Sequence, residues 1–314
     1  MHAFIFPGQG SQSVGMGREL VAAFPAAREV FEEVDEALKR NLTRLMFEGP
    51  AEELVLTANA QPALMAVSLA ALRVLEREAH ITLKDKVALV AGHSLGEYTA
   101  LAAAGSFSVS EAARLLRLRG EAMQEAVPLG AGTMAAVFGL PLGEIEAICA
   151  EVANGRGEIV AAANDNGGGQ VVISGATAAV SRAAELARAR GAKRALALPV
   201  SAPFHCSLMA PAAAAMKEAL ADVLLARPTV PVVANVTAAA VADPAEIKEL
   251  LVRQVTGLVR WRESVLAMIE VGVTSFVELG AGRVLSGLVR RIAPDAASRS
   301  CGTPQEIEAV VKAL

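Results

Sequence analysis

The sequence predicts an α/β protein: a mostly parallel sheet packed between helices, interrupted by a smaller β-α-β-β-α-β unit. Three observations carry this. Lys86 to Ala91 is a near-continuous apolar run, the pattern of a parallel strand covered on both faces. Strands alternate with helices before and after it. Residues 128–200 change character and close on themselves in the order of the ferredoxin-like arrangement. The expected division is a main unit of residues 1–127 and 201–314, with 128–200 inserted into it.

The elements follow in order. His2 to Phe6 reads as a short apolar strand, stopped by Pro7-Gly8-Gln9-Gly10. Helical stretches follow around Arg18 to Phe24 and from Ala26 to Lys39, and Thr57 to Glu78 keeps helical spacing. After the central strand, Leu95 to Ala104 reads as helix, and Ser110 as the N-cap of a helix to about Ala126. In the inserted unit, Thr133 to Phe138, Glu158 to Ala163, Gln170 to Ser174 and Arg194 to Pro199 read as strands. Leu142 to Val152 and Thr177 to Arg190 are its helices. The main unit resumes with a helix from Ala210 to Leu225 and a strand from Val230 to Asn235. Helices at Ile247 to Val255 and Glu263 to Glu270 precede a strand from Ser275 to Leu279. A turn at Gly280-Ala281-Gly282 then opens a helix through Arg291.

Composition narrows the function. With 54% hydrophobic and 20% charged residues, the 314-residue chain is globular. A net charge of −4 and 4% aromatics give neither the electrostatic pull nor the stacking surface that nucleic acid needs. Cys149, Cys206 and Cys301 stand far apart, which suggests neither a zinc site nor a disulfide framework. The start, MHAFIFPGQG, lacks the basic region and long apolar stretch of a signal peptide. The most apolar segment, Ala63 to Leu72, is too short to span a bilayer. The expectation is a cytoplasmic monomer with no membrane partner.

Gly92-His93-Ser94-Leu95-Gly96 places a serine between glycines where the buried strand turns into a helix. This is the G-x-S-x-G elbow in its required context. The turn lifts Oγ above the sheet edge and leaves the Leu95 N–H at a helix N-terminus, where developing negative charge is favoured. A serine nucleophile needs a base. Of the four histidines, His2 is near the terminus, His80 lies in a charged connection, and His93 adjoins the serine on a sharp turn. That leaves His205, in the loop where the chain re-enters the main unit. The only aspartate between Ser94 and His205 is Asp165, awkwardly placed in the inserted unit. The acid is then absent, replaced by a backbone carbonyl or an amide.

On the helix from Glu111 to Ala126, Arg119 falls in the middle of the apolar arc. A guanidinium keeps its charge, so burial demands an anionic partner. That partner is either a core carboxylate or the substrate. In the second case Ser94 and Arg119 describe acyl transfer selective for an acyl group with a free carboxylate.

Pro7-Gly8-Gln9-Gly10-Ser11-Gln12, Gly92 to Tyr98, Arg119, Pro203-Phe204-His205 and Phe276-Val277-Glu278-Leu279-Gly280 together resemble the malonyl-CoA:acyl carrier protein transacylases. These are similar to the acyltransferase domains of polyketide synthases. The resemblance implies an α/β-hydrolase-like core with a ferredoxin-like small domain. It implies Ser94 as the acylated nucleophile and His205 as general base and acid. Arg119 would hold the malonyl carboxylate, with the N–H groups of Gln9 and Leu95 as the oxyanion hole. The main-chain carbonyl of Gln254 would orient His205. Phe204 resembles the residue of malonyl-selective members, where a ring fills the space of an α-methyl group. The implied partners are malonyl-CoA and an acidic, phosphopantetheinylated acyl carrier protein, with no metal or other cofactor. Two basic groups could receive the carrier: Arg182, Arg188, Arg190, Lys193 and Arg194, or Arg260, Arg262, Arg290 and Arg291. The rival readings are a serine thioesterase or esterase and a non-catalytic carrier-binding domain.

Overall fold

The computed structural model describes residues 1–78, 80–156 and 158–314. Two sheets organise it. The strands are, in chain order, β1 (His2–Phe6), β2 (Val87–Gly92), β3 (Gly132–Phe138), β4 (Val160–Asp165), β5 (Gln170–Ala176), β6 (Arg194–Ala197), β7 (Val232–Val233), β8 (Ala240–Val241), β9 (Ser275–Leu279) and β10 (Ala297–Cys301). The larger sheet runs β10-β9-β1-β2-β7-β8. It is parallel throughout except for β8, which pairs antiparallel with β7.

The period-2 alternation of β1 explains why both faces of this sheet are covered. Phe4 and Phe6 point into one core with the helix Thr57–Glu78, while Ala3 and Ile5 point into another with Trp261 and Phe276. That helix is long and apolar enough to cross a membrane. However, 94% of its most apolar window is buried in the fold, so it is a core helix. It packs closely against Val109–Glu125: a Cβ on Gly120 would lie 2.5 Å from the Cα of Ala58. Only glycine permits that approach, which brings Arg119 to the first turns of the core helix.

The smaller sheet is fully antiparallel, ordered β4-β5-β3-β6. Its helices, Leu142–Arg156 and Thr177–Ala189, share a core with Ala135 and Val137 of β3, whereas Met134 and Ala136 face the main core. A bridge from Asn164 to Val259 joins its edge to the main unit, and Asp165 pairs with Arg262 at 2.8 Å.

Some elements differ from expectation. The helix bearing Arg119 is capped by Ser108, not Ser110: Ser108 and Glu111 form a capping box, and Ser110 bonds Glu33 instead. The strand expected over 230–235 shrinks to Val232–Val233, because Asn235 turns away to make contacts described below. β10 and the helix Pro304–Val311 were not expected. Ala-Ser-Arg-Ser-Cys has little apolar periodicity, as suits an edge strand. The three cysteines are free and buried.

Candidate active site

The site grows from the C-terminal ends of β1 and β2. Their pairing runs through Phe6 and Gly92 and extends to the His93 N–H, which donates to Phe6 O at 3.0 Å. The loop carrying Gln9 and the elbow carrying Ser94 therefore emerge side by side. Both elbow glycines are dictated by backbone proximity. A Cβ on Gly92 would lie 1.8 Å from Gly96 O, and one on Gly96 would lie 2.3 Å from Phe6 O. Ser94 itself has φ 55° and ψ −111°, a conformation that L-residues rarely hold unless their surroundings over-determine it. Here Asn235 supplies the restraint. Its Oδ1 accepts from the Ser94 N–H at 2.7 Å, and its Nδ2 donates to Gly92 O at 2.7 Å. The next N–H, of Leu95, opens the helix Leu95–Ala103 and has no intrahelical acceptor.

Ser94 Oγ lies 2.8 Å from His205 Nε2, and His205 Nδ1 lies 2.9 Å from the main-chain oxygen of Gln254. A carbonyl only accepts, so Nδ1 carries the proton and Nε2 accepts from the serine hydroxyl. His205 is 3% exposed. Burial, reinforced by the neighbouring Arg119 charge, pushes its pKa down to about 3, so the ring is neutral at pH 7. His205 also sits at φ 60°, which fixes the loop after Phe204 in an unusual turn. Phe204 is buried in the main core.

Arg119 is 1% exposed. Its Nη1 donates to Gln61 Oε1 at 2.9 Å, and its Nη2 donates to Gln254 Oε1 at 2.7 Å and to Ser94 Oγ at 3.2 Å. Its Nε has no partner among the described residues. The guanidinium lies 5.6 Å from the centre of the Tyr98 ring. Among the described residues no carboxylate forms an ion pair with it. The nearby acid, Glu97, is occupied elsewhere. Its Oε2 accepts from the Asn235 N–H at 3.0 Å and from Gln254 Nε2 at 2.8 Å. Burial raises the Glu97 pKa to about 7 despite those donors. The arrangement thus holds a neutral base and a cation without an ion-pair partner, each within hydrogen-bonding reach of the same hydroxyl.

Ser94, His205, Arg119 and Gln254 are brought into direct contact, Leu95 follows the serine, and Gln9 borders the elbow. Gln9 Nε2 reaches Thr57 Oγ1 at 3.4 Å. His93 turns away: its Nε2 lies 3.0 Å from Asn166 Oδ1 and its ring packs on Trp261. Asp165 is engaged with Arg262, remote in role from His205. The sequence reading missed Gln61, Glu97, Asn235 and the side chain of Gln254. For Gln61 and Glu97 a weak signal existed, since each is a large polar residue in a helix that is otherwise mostly apolar.

The acyl transferase domain model matches residues 3–301. The malonyl CoA-acyl carrier protein transacylase of Bacillus subtilis (strain 168) is 47% identical over 312 residues, covering 99% of this chain and 96% of that one. That of Escherichia coli (strain K12) is 44% identical, covering 99% and 98%. Among solved structures, an acyl-carrier-protein S-malonyltransferase from Bartonella henselae superposes with a TM-score of 0.97 at 55% identity, covering 99% and 98%. A malonyl-transacylase in complex with a type II polyketide acyl-carrier protein gives 0.96 at 42% identity, covering 100% and 99%. The chain belongs to the acyl transferase domain family.

Proposed function

We propose that this acyltransferase moves a malonyl group from malonyl-CoA to the phosphopantetheine thiol of an acyl carrier protein, through a malonyl ester on Ser94. One observation carries the reading. The Arg119 guanidinium is held by two amide oxygens, without a carboxylate, and touches Ser94 Oγ. A buried cation left unneutralised beside a nucleophile fits an acyl group that brings its own negative charge. The names of the relatives above, and the carrier complex among the solved structures, support the same substrates.

In the first half-reaction His205 Nε2 takes the Ser94 proton as Oγ bonds to the thioester carbon. The oxyanion is met by the N–H groups of Leu95 and Gln9; removing one such donor costs about 2.7–4 kcal/mol in other enzymes. As the intermediate collapses, the C–S bond breaks and the CoA sulfur takes the proton from His205. In the second half the carrier thiol gives its proton to His205 and attacks the ester; the C–Oγ bond then breaks and Ser94 Oγ takes the proton back from His205. Gln254 O holds Nδ1–H throughout, standing where an acid would in a triad. The malonyl carboxylate on Arg119 also offsets part of the positive field that depresses His205, so the base strengthens when the correct acyl group is bound. Phe204, immediately before the base, is read as limiting the room for an α-substituent.

The main unit, residues 1–127 and 201–314, is read as an α/β-hydrolase-like core, and 128–200 as a ferredoxin-like small domain. The order β4-β5-β3-β6 and the alternation of strands and helices support that description. A cytoplasmic monomer fits these parts. For the acidic carrier, Arg290 and Arg291 are the better dock. They are exposed and, among the described residues, form no ion pair, whereas Arg260 and Arg262 of the same group are engaged by Glu263 and Asp165, and Arg182 and Arg190 of the other group by Glu158, Glu144 and Glu151.

Mass spectrometry after incubation with malonyl-CoA tests the reading. A malonyl adduct is expected on Ser94, discharged by holo carrier and absent in Ser94→Ala. Free malonate released at full rate without carrier would favour a thioesterase instead.

A further inference from the structure

Every polar atom of the Gln254 side chain is committed, and all its partners belong to the site. Oε1 accepts from Arg119 Nη2 at 2.7 Å; Nε2 donates to Glu97 Oε2 at 2.8 Å and to Ser94 O at 2.9 Å. The amide can face only one way. A guanidinium has no acceptor, so oxygen must face Arg119. The Ser94 carbonyl has no donor of its own, so the NH₂ must face Ser94, and the same NH₂ reaches Glu97 Oε2. The side chain therefore stands between the one buried acid of the site and its buried cation. Glu97 still acts on Arg119 through its field, yet among the described residues Arg119 forms no ion pair. Gln61 completes the pattern by offering Nη1 another neutral oxygen at 2.9 Å.

We propose that the Gln254 amide is a specificity-positioning group: it insulates Arg119 from Glu97, so that the guanidinium stays available to the acyl carboxylate. The inference rests on the reading of Arg119 given above. A carboxylate in place of the amide would meet Arg119 in a charge-assisted pair and occupy the fork that substrate must use. Smaller or apolar replacements would remove the spacer. The main-chain carbonyl that holds His205 would survive either change, so the effect separates acyl choice from base orientation.

The test is the ratio of malonyl to acetyl loading on Ser94, measured as kcat/KM for the two CoA esters. The parent comes first: no preference for malonyl there would overturn the reading of Arg119 itself. Given that preference, Gln254→Glu is expected to cut the ratio by about 10- to 100-fold, with acetyl loading retained. The double variant Gln254→Glu/Glu97→Gln removes the second carboxylate that would otherwise face the new one, and guards against misfolding. It should show the same lost preference. An unchanged ratio in a folded Gln254→Glu double variant overturns the insulating role. So does an equal fall for both acyl groups, because a purely structural glutamine would depress both alike.

Discussion

Arg119 and Arg190 carry the same guanidinium in opposite settings. Arg190, on the outer face of the small sheet's helices, is about a third exposed and reaches Glu144 at 3.1 Å and also Glu151. Arg119, at the centre of the main unit, is buried and meets only amides, a hydroxyl and an aromatic face. A surface arginine can be paired or unpaired at little consequence, because water screens it. A buried one left without an anion is costly to the fold. Where the costly arrangement is kept and a neighbouring carboxylate is held aside, the proposed reading is that the charge is reserved for something that arrives from outside.

Three experiments break or sharpen that contrast. The largest effect belongs to Arg119→Ala: malonyl loading of Ser94 is expected to fall about 10²- to 10³-fold, with acetyl loading unchanged or faster. Equal loss for both esters would make Arg119 structural after all.

The second concerns acidity around the buried cation, where two groups titrate with opposite sign. His205 has its folded pKa depressed to about 3 from an ordinary 6.5, so its contribution to stability is full above 6.5 and lost as pH falls toward 3. Glu97 has its folded pKa raised from 4.5 to about 7, so its contribution is full below 4.5 and lost as pH rises through 7. Compared with the parent, His205→Gln should gain Tm as pH falls from 7 to 5, and Glu97→Gln should gain Tm as pH rises over the same span. Tm differences that stay flat across the series would contradict both assignments.

The smallest effect lies at the surface. Reversing the charges of Arg290 and Arg291 is expected to slow the carrier half-reaction several-fold at low salt, while loading from malonyl-CoA is untouched. A carrier half-reaction at the parental rate would move the dock to the other basic group.

The elbow was legible because its chemistry is local: strand, glycines, serine and helix are contiguous, and the spacing alone demands the turn. Arg119 was legible because a permanent charge on an apolar helical arc is a contradiction that sequence displays. The succession of strands and helices in the small unit was readable from its sequence pattern. What stayed hidden depends on the meeting of distant segments. Asn235 splints Ser94 across 141 positions, and Gln254 reaches it across 160. Neutral amides show no contradiction on a helical wheel, so nothing marked them. Ser108 was overlooked as a cap because Ser110 offers the same hydroxyl two residues on; only the reciprocal bond from Glu111 decides between them. The polar edge strand β10 escaped because its sequence pattern carries no period.

The strap between the two sheets has a consequence for anyone exchanging modules among such proteins. Asn164 bridges to Val259, Asp165 grips Arg262, and Asn166 holds the imidazole of the residue adjoining the nucleophile. A chimera that imports a foreign small sheet but cuts its own chain at the obvious linkers would discard all three fastenings at once. Such a graft would need the tripeptide 164–166 transplanted together with its receptors on the host, or the serine would lose a support that no inspection of the elbow itself reveals.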